Sequence, residues 1–198
     1  MVTPSSPPAL PARPPKATAV TVVDLEPGAG SGGGGGGGGS LRIGGFPAAP
    51  SGRQDVAAPN DAEEWAMLFE VSRGRFPLRI SRLQGEGSYG CDCLSFASDA
   101  DRTAFKGAPE AYVDKILRFI EVKSGAVRLT RIEHISAQRN RGRYFIYQIQ
   151  FDAQGRLTAH LDIVADPLSH RAALVRECEI RIDQIATRRR HKLSAVAS

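Results

Sequence analysis

Arg118-Phe-Ile-Glu-Val-Lys-Ser124 decides how the rest of the chain is read. It closes the run KILRFIEVKS, Lys115 to Ser124, whose β-branched and aromatic content is that of a core strand. Side chains on a strand alternate between faces, so Glu121 and Lys123 share one face while Ile120 and Val122 take the other. A charge carried into a core is costly unless it is paired or binds a metal. The stretch therefore predicts both a central strand and a candidate site.

Upstream, NDAEEWAMLFEVS (residues 60–72) predicts a helix capped by Asn60 or Asp61, with Trp65, Leu68 and Phe69 on its apolar stripe. Gly74 and Pro77 stop it. LRISRL (78–83) and CDCLSF (91–96) alternate as short strands around a GEGSYG turn. Residues 97–114 are polar and read as a loop with room for a helical turn. Downstream, Thr130 caps a helix from about Arg131 to Asn140, with Ile132, Ile135 and Ser136 inward. RYFIYQIQF (143–151) is a strong strand, DAQGRL a turn, LTAHLDIVAD a further strand, and CEIRIDQI leans to a strand. The order α-β-β-β-α-β predicts an α+β (α/β) domain, a mixed sheet flanked by helices, over residues 59–187.

Composition divides the chain. Residues 1–58 hold most of the Pro and Gly, including a glycine run ending at Gly39-Ser40, and predict a disordered tail. An organelle transit peptide is the alternative reading of its start. Residues 188–198 read as a basic C-terminal tail, and TRRRHK (187–192) as a second phosphate-contacting patch or a frayed end. No stretch is long enough to span a bilayer. Three cysteines argue against a disulfide framework and for a reducing, intracellular compartment, cytoplasmic or nuclear. Cys91 and Cys93 read as small buried hydrophobes that face one side of a strand, with Asp92 on the other.

From residue 61 onward there are 22 Lys and Arg against 18 Asp and Glu, a mild excess. The excess is concentrated around Glu121: Arg118, Arg128, Arg131, Arg139 and Arg141 form a basic stripe that suggests a polyanionic partner, nucleic acid foremost. Asp92 and Glu121 are the candidate pair of hard-oxygen ligands for Mg²⁺ or Mn²⁺, with Glu64, or its neighbour Glu63, completing the set from the first helix. Lys123 would orient the attacking water or neutralise a phosphate oxygen. Tyr144 and Tyr147 read as core aromatics, and Glu133 as either a site neighbour or a surface charge.

The ordered pieces SRGRFP (72–77), SYGCDCLS (88–95), RFIEVKS (118–124) and LTRIEHISAQRNRGRYFIY (129–147) resemble the C-terminal domain of the plant protein NO VEIN, a divergent branch of the PD-(D/E)xK restriction-endonuclease-like folds. The resemblance runs from about Glu63 to Tyr147. It implies a restriction-endonuclease-like sheet, a metal-dependent phosphodiesterase activity on nucleic acid, Asp92, Glu121 and Lys123 as the active triad, and Glu133 as a motif residue. The chain departs from the pattern at Tyr89-Gly90, at Cys91, in the insert Ala97 to Lys115, and at Ile132. The alternative is a catalytically inactive nucleic-acid- or protein-binding module on the same scaffold.

Overall fold

The computed structural model describes residues 17–25, 62–81, 89–152, 158–170, 174–176 and 179–196. Its main element is a seven-stranded sheet in the order β1-β10-β7-β6-β4-β3-β2. The strands are β1 (Ala19–Leu25), β2 (Phe76–Arg79), β3 (Cys93–Phe96), β4 (Ile116–Lys123), β6 (Tyr144–Phe151), β7 (Thr158–Ala165) and β10 (Arg189–Val196). Short strands β5 (Val127–Arg128), β8 (Leu174–Arg176) and β9 (Glu179–Ile180) form a second, three-stranded sheet. All strand pairs are antiparallel except β4 with β6. A parallel pair cannot be closed by a hairpin, and here the returning segment carries α3 (Arg131–Arg139). The expected α+β fold, a mixed sheet flanked by helices, is what the chain adopts.

Two apolar layers cover the sheet. Trp65, Ala66 and Phe69 of α1 (Ala62–Ser72) pack on Ile120, Tyr147, Ile149, Leu161 and Leu193. On the other face, Phe105 of α2 (Asp99–Gly107) and Ala137 of α3 join Phe119, Tyr144 and Ile146. Phe119 and Ile120 fall into different layers, as strand alternation requires. Ile116 nevertheless shares a layer with Phe119, because the pairing slips between Ser95 and Phe96. Leu117 is left out of the register and is 43% exposed.

Several expectations are corrected. Residues 189–196 are a strand inside the sheet rather than a basic tail, since β10 pairs with both β1 and β7. Its alternation buries His191 and Leu193 while Lys192 faces solvent. Within the expected disordered tail, residues 19–25 form β1, whose VTVV core is β-branched; the glycine run lies outside the described residues. The expected loop at 97–114 contains the nine-residue helix α2, capped by the Ser98 side chain, which accepts from the Asp101 N–H at 3.1 Å. A 3₁₀ segment, Pro109–Lys115, follows. The strand expected at 78–83 runs over Phe76–Arg79 instead, and residues 82–88, most of the expected turn, lie outside the described residues.

Candidate active site

The alternation read from the sequence holds at the end of β4. Ile120 and Val122 enter the α1 layer, and Glu121 and Lys123 point toward α3. Glu121 is 3% exposed, and its Oε1 lies 2.5 Å from Lys123 Nζ. Lys123 Nζ also donates to Glu133 Oε2 at 3.0 Å. Glu133 holds that position through a capping box: its side chain accepts the Thr130 N–H at 3.0 Å, and the Thr130 hydroxyl accepts the Glu133 N–H at 3.3 Å. The residue read as either site neighbour or surface charge is therefore at the site.

Asp92 lies just before β3, where its own N–H donates to Ile120 O at 3.0 Å. Its Oδ2 accepts the Val122 N–H at 2.8 Å, so the carboxylate is tied to the main chain between Glu121 and Lys123. The two cysteines do not face one side as expected. Cys91 joins the α3 layer and Cys93 the α1 layer, because the backbone bends at residues 91–92 and regular pairing starts at Cys93. Both are buried free thiols.

Gly90 sets the distance between this turn and α3. Its φ is +59°, and a Cβ there would lie 2.7 Å from Ile132 O and 2.8 Å from Ser136 Cβ. The Ser136 hydroxyl donates to Tyr89 O and the Tyr144 hydroxyl to Gly90 O, the latter at 2.9 Å. This close approach fixes the rotation of α3. Ile132, expected inward, is instead 53% exposed at the mouth of the site. Asp92, Glu121, Ile132 and Glu133 line a shallow concavity of about 170 Å³.

From the first helix, Glu63, one of the two expected candidates, is directed toward the site. Its Oε2 accepts from Arg79 Nε at 2.5 Å and from the Ser81 hydroxyl, and its charge acts on Asp92. Burial raises the Asp92 pKa, the Val122 hydrogen bond opposes this, and Glu63 adds to it. Burial together with the Asp92 charge pushes Glu121 up to about 8. Burial works against the Lys123 charge, but Glu121 and Glu133 outweigh it and hold the ammonium protonated. Fully ionised, four carboxylates would face two cations, Lys123 and Arg79. One divalent ion would balance that deficit, and two carboxylates plus water is a ligand set Mg²⁺ accepts. Among the described residues no three His, Cys, Asp or Glu side chains converge as a ready-made metal cage.

The expected basic stripe is divided. Arg118 lies on the other face of β4, where its Nη1 donates to the Tyr147 hydroxyl at 2.7 Å and its guanidinium stacks on Phe145 at 4.4 Å. Arg128 is exposed and pairs with Glu179 at 3.3 Å. Arg131 and Arg139 are exposed on α3, and Arg141, just after it, pairs with Asp166 at 3.4 Å. Tyr144 and Tyr147 are fully buried core aromatics, as expected.

No family model, curated protein or solved structure matches the chain.

Proposed function

We propose that this domain is a metal-dependent nuclease-like domain that hydrolyses nucleic-acid phosphodiesters. The supporting observation is the Asp92–Glu121–Lys123 arrangement: a Glu121 carboxyl whose pKa is raised by burial and by the Asp92 charge, an ammonium 2.5 Å from it, and an Asp92 carboxylate held to the same strand end by the Val122 N–H. Asp92 and Glu121 would hold Mg²⁺ or Mn²⁺. The ion, when bound, supplies positive charge to the phosphoryl oxygens and lowers the pKa of water. Lys123, kept protonated, donates to a non-bridging phosphate oxygen or orients the attacking water. Water adds to phosphorus, the P–O ester bond breaks, and the products are a phosphomonoester and a free hydroxyl. Arg131 and Arg139, exposed on α3, would contact flanking phosphates.

A second reading is a binding module that keeps the scaffold without catalysis. The observation favouring it is that Lys123 is already held between Glu121 and Glu133, a closed arrangement that needs no ion. Calorimetric titration of Mn²⁺ into the wild type and Asp92→Asn, paired with a cleavage assay on single- and double-stranded DNA and RNA, separates the two. Uptake and cleavage lost in the variant support the nuclease. Identical isotherms with retained nucleic-acid binding leave the module.

A further inference from the structure

A second concavity, of about 760 Å³, opens on the α1 face of the sheet, away from Glu121. Strand alternation places Arg118 of β4 and Phe145 of β6 on that face, and Arg189 and His191 of β10 join them there. Phe69, Phe145 and Ile163 provide an apolar floor. Six arginines line the walls. Three carboxylates account for only part of that charge. Glu70 binds Arg75 through both oxygens, at 2.6 and 2.8 Å. Asp162 does the same for Arg190, at 2.7 and 2.8 Å. Asp24 of β1 takes Arg73 and the His191 ring. Arg118 shares Glu70 at 3.6 Å, and Arg188 lies 3.9 Å from Asp162 while donating to the backbone carbonyls of Ile182, Asp183 and Ile185, so six guanidiniums stand against three carboxylates. Arg189 is exposed and forms no ion pair among the described residues.

We propose that this concavity is a second anion site, taking a phosphate group carried on an organic body such as a nucleotide unit. Guanidinium groups in excess of their carboxylates recognise phosphate through paired N–H donors. The volume is that of a small-molecule pocket, far larger than one phosphate ion needs, and the Phe69–Phe145–Ile163 floor suits an apolar or aromatic body. The phosphate comes either from a free nucleotide or from a nucleic-acid strand. The site does not depend on the carboxylate pair, because Arg118 and Glu121 lie on opposite faces of β4.

The test uses the full chain at physiological salt without divalent metal, with two probes: ATP by calorimetry, and a fluorescent 5′-phosphorylated single-stranded dodecamer by anisotropy. Saturable binding of either is expected, weakened about ten- to a hundredfold by Arg189→Glu. Arg189→Ala keeps the test open if charge reversal disturbs β10, and loss of binding there supports the site equally. ATP binding assigns the phosphate to a free nucleotide; dodecamer binding alone assigns it to a strand. Lys106→Glu, the same charge reversal at an exposed position of α2 on the other face, is the control and is expected to leave binding unchanged. No saturable binding of either probe, binding indifferent to both Arg189 variants, or binding weakened as much by Lys106→Glu as by Arg189→Glu, overturns the proposal.

Discussion

Asp92 Oδ2 accepts the backbone N–H of Val122 at 2.8 Å, and this bond ties the turn before β3 to the strand that carries Glu121 and Lys123. One carboxylate oxygen is thereby committed to structure and the other is left for chemistry. The two roles separate by substitution. Asp92→Asn keeps an oxygen for the Val122 N–H and removes charge beside Glu121, so its stability in urea should match or slightly exceed wild type. Asp92→Ala strands a part-buried donor and should cost about 1–3 kcal/mol. Both variants should lose Mn²⁺ uptake, which calorimetry reads directly.

Glu121 gives the fold an uncommon pH dependence. Its pKa is near 8 in the folded protein against an ordinary value of 4.5. Between those values the folded state holds a proton that the unfolded chain has released, so this group makes stability fall as pH rises. Its unfavourable contribution is absent below 4.5 and complete above about 8. Melting temperatures of wild type and Glu121→Gln, compared from pH 5 to 8.5, should diverge in the variant's favour as pH rises. Mn²⁺ affinity of the wild type should increase over the same interval, because the ion displaces that proton.

Glu70 acts in the opposite sense. It is fully buried and accepts from Arg75, from the Ser95 hydroxyl at 2.6 Å and from the Tyr147 hydroxyl at 2.5 Å. Burial opposes its charge, but these donors outweigh burial and lower the pKa. Its stabilising contribution is present above 4.5 and is lost as pH falls through the lowered folded value. Glu70→Ala leaves the Arg75 charge and two hydroxyls without their acceptor and should cost about 3–5 kcal/mol in chemical denaturation. The acid limb of the stability profile should flatten in the same variant.

Gly90→Ala should destabilise the protein by about 2 kcal/mol or more, since it adds a left-handed conformation to a collision with the α3 backbone. Moving α3 outward also takes Glu133 away from Lys123. The variant should therefore change the Mn²⁺ isotherm as well as the melting temperature, whereas Gly125→Ala, with nothing within 4 Å of its Cβ position, should change neither.

The parts legible in the sequence are those where one local period decides. Ile120 and Val122 against Glu121 and Lys123 needed only alternation, and α1 only the Trp65–Phe69 spacing. The Thr130 cap was readable for the same reason. What stayed hidden depends on a distant partner. Arg188, Arg189 and Arg190 read as a phosphate-contacting patch or a frayed end, not as part of a strand, because nothing nearby announces Asp162, which neutralises Arg190 from β7. Residues 19–25 carry a strand composition, but Pro and Gly on both sides outweighed it. Ile132 was placed inward by helical period alone, while the phase of α3 is set by Gly90, forty-two residues earlier. Glu63 and Glu64 are adjacent, and only the partners Arg79 and Ser81, sixteen and eighteen residues on, single out Glu63.

The order in which the sheet can be completed follows from the place of β10. Ala19–Leu25 is an edge strand whose neighbour in the sheet is Arg189–Val196. A ribosome must therefore deliver nearly the whole described chain before β1 can pair. Until then β7 presents an unpaired rim beside β6, and β1 carries Val20 and Val22 without the layer that covers them in the finished sheet. Such a span between partners slows the search for the native pairing and lengthens the time in which bare strands can meet another nascent copy. In the cell this domain should depend on chaperone occupancy during synthesis more than its size suggests, with β10 as the piece whose arrival ends that dependence.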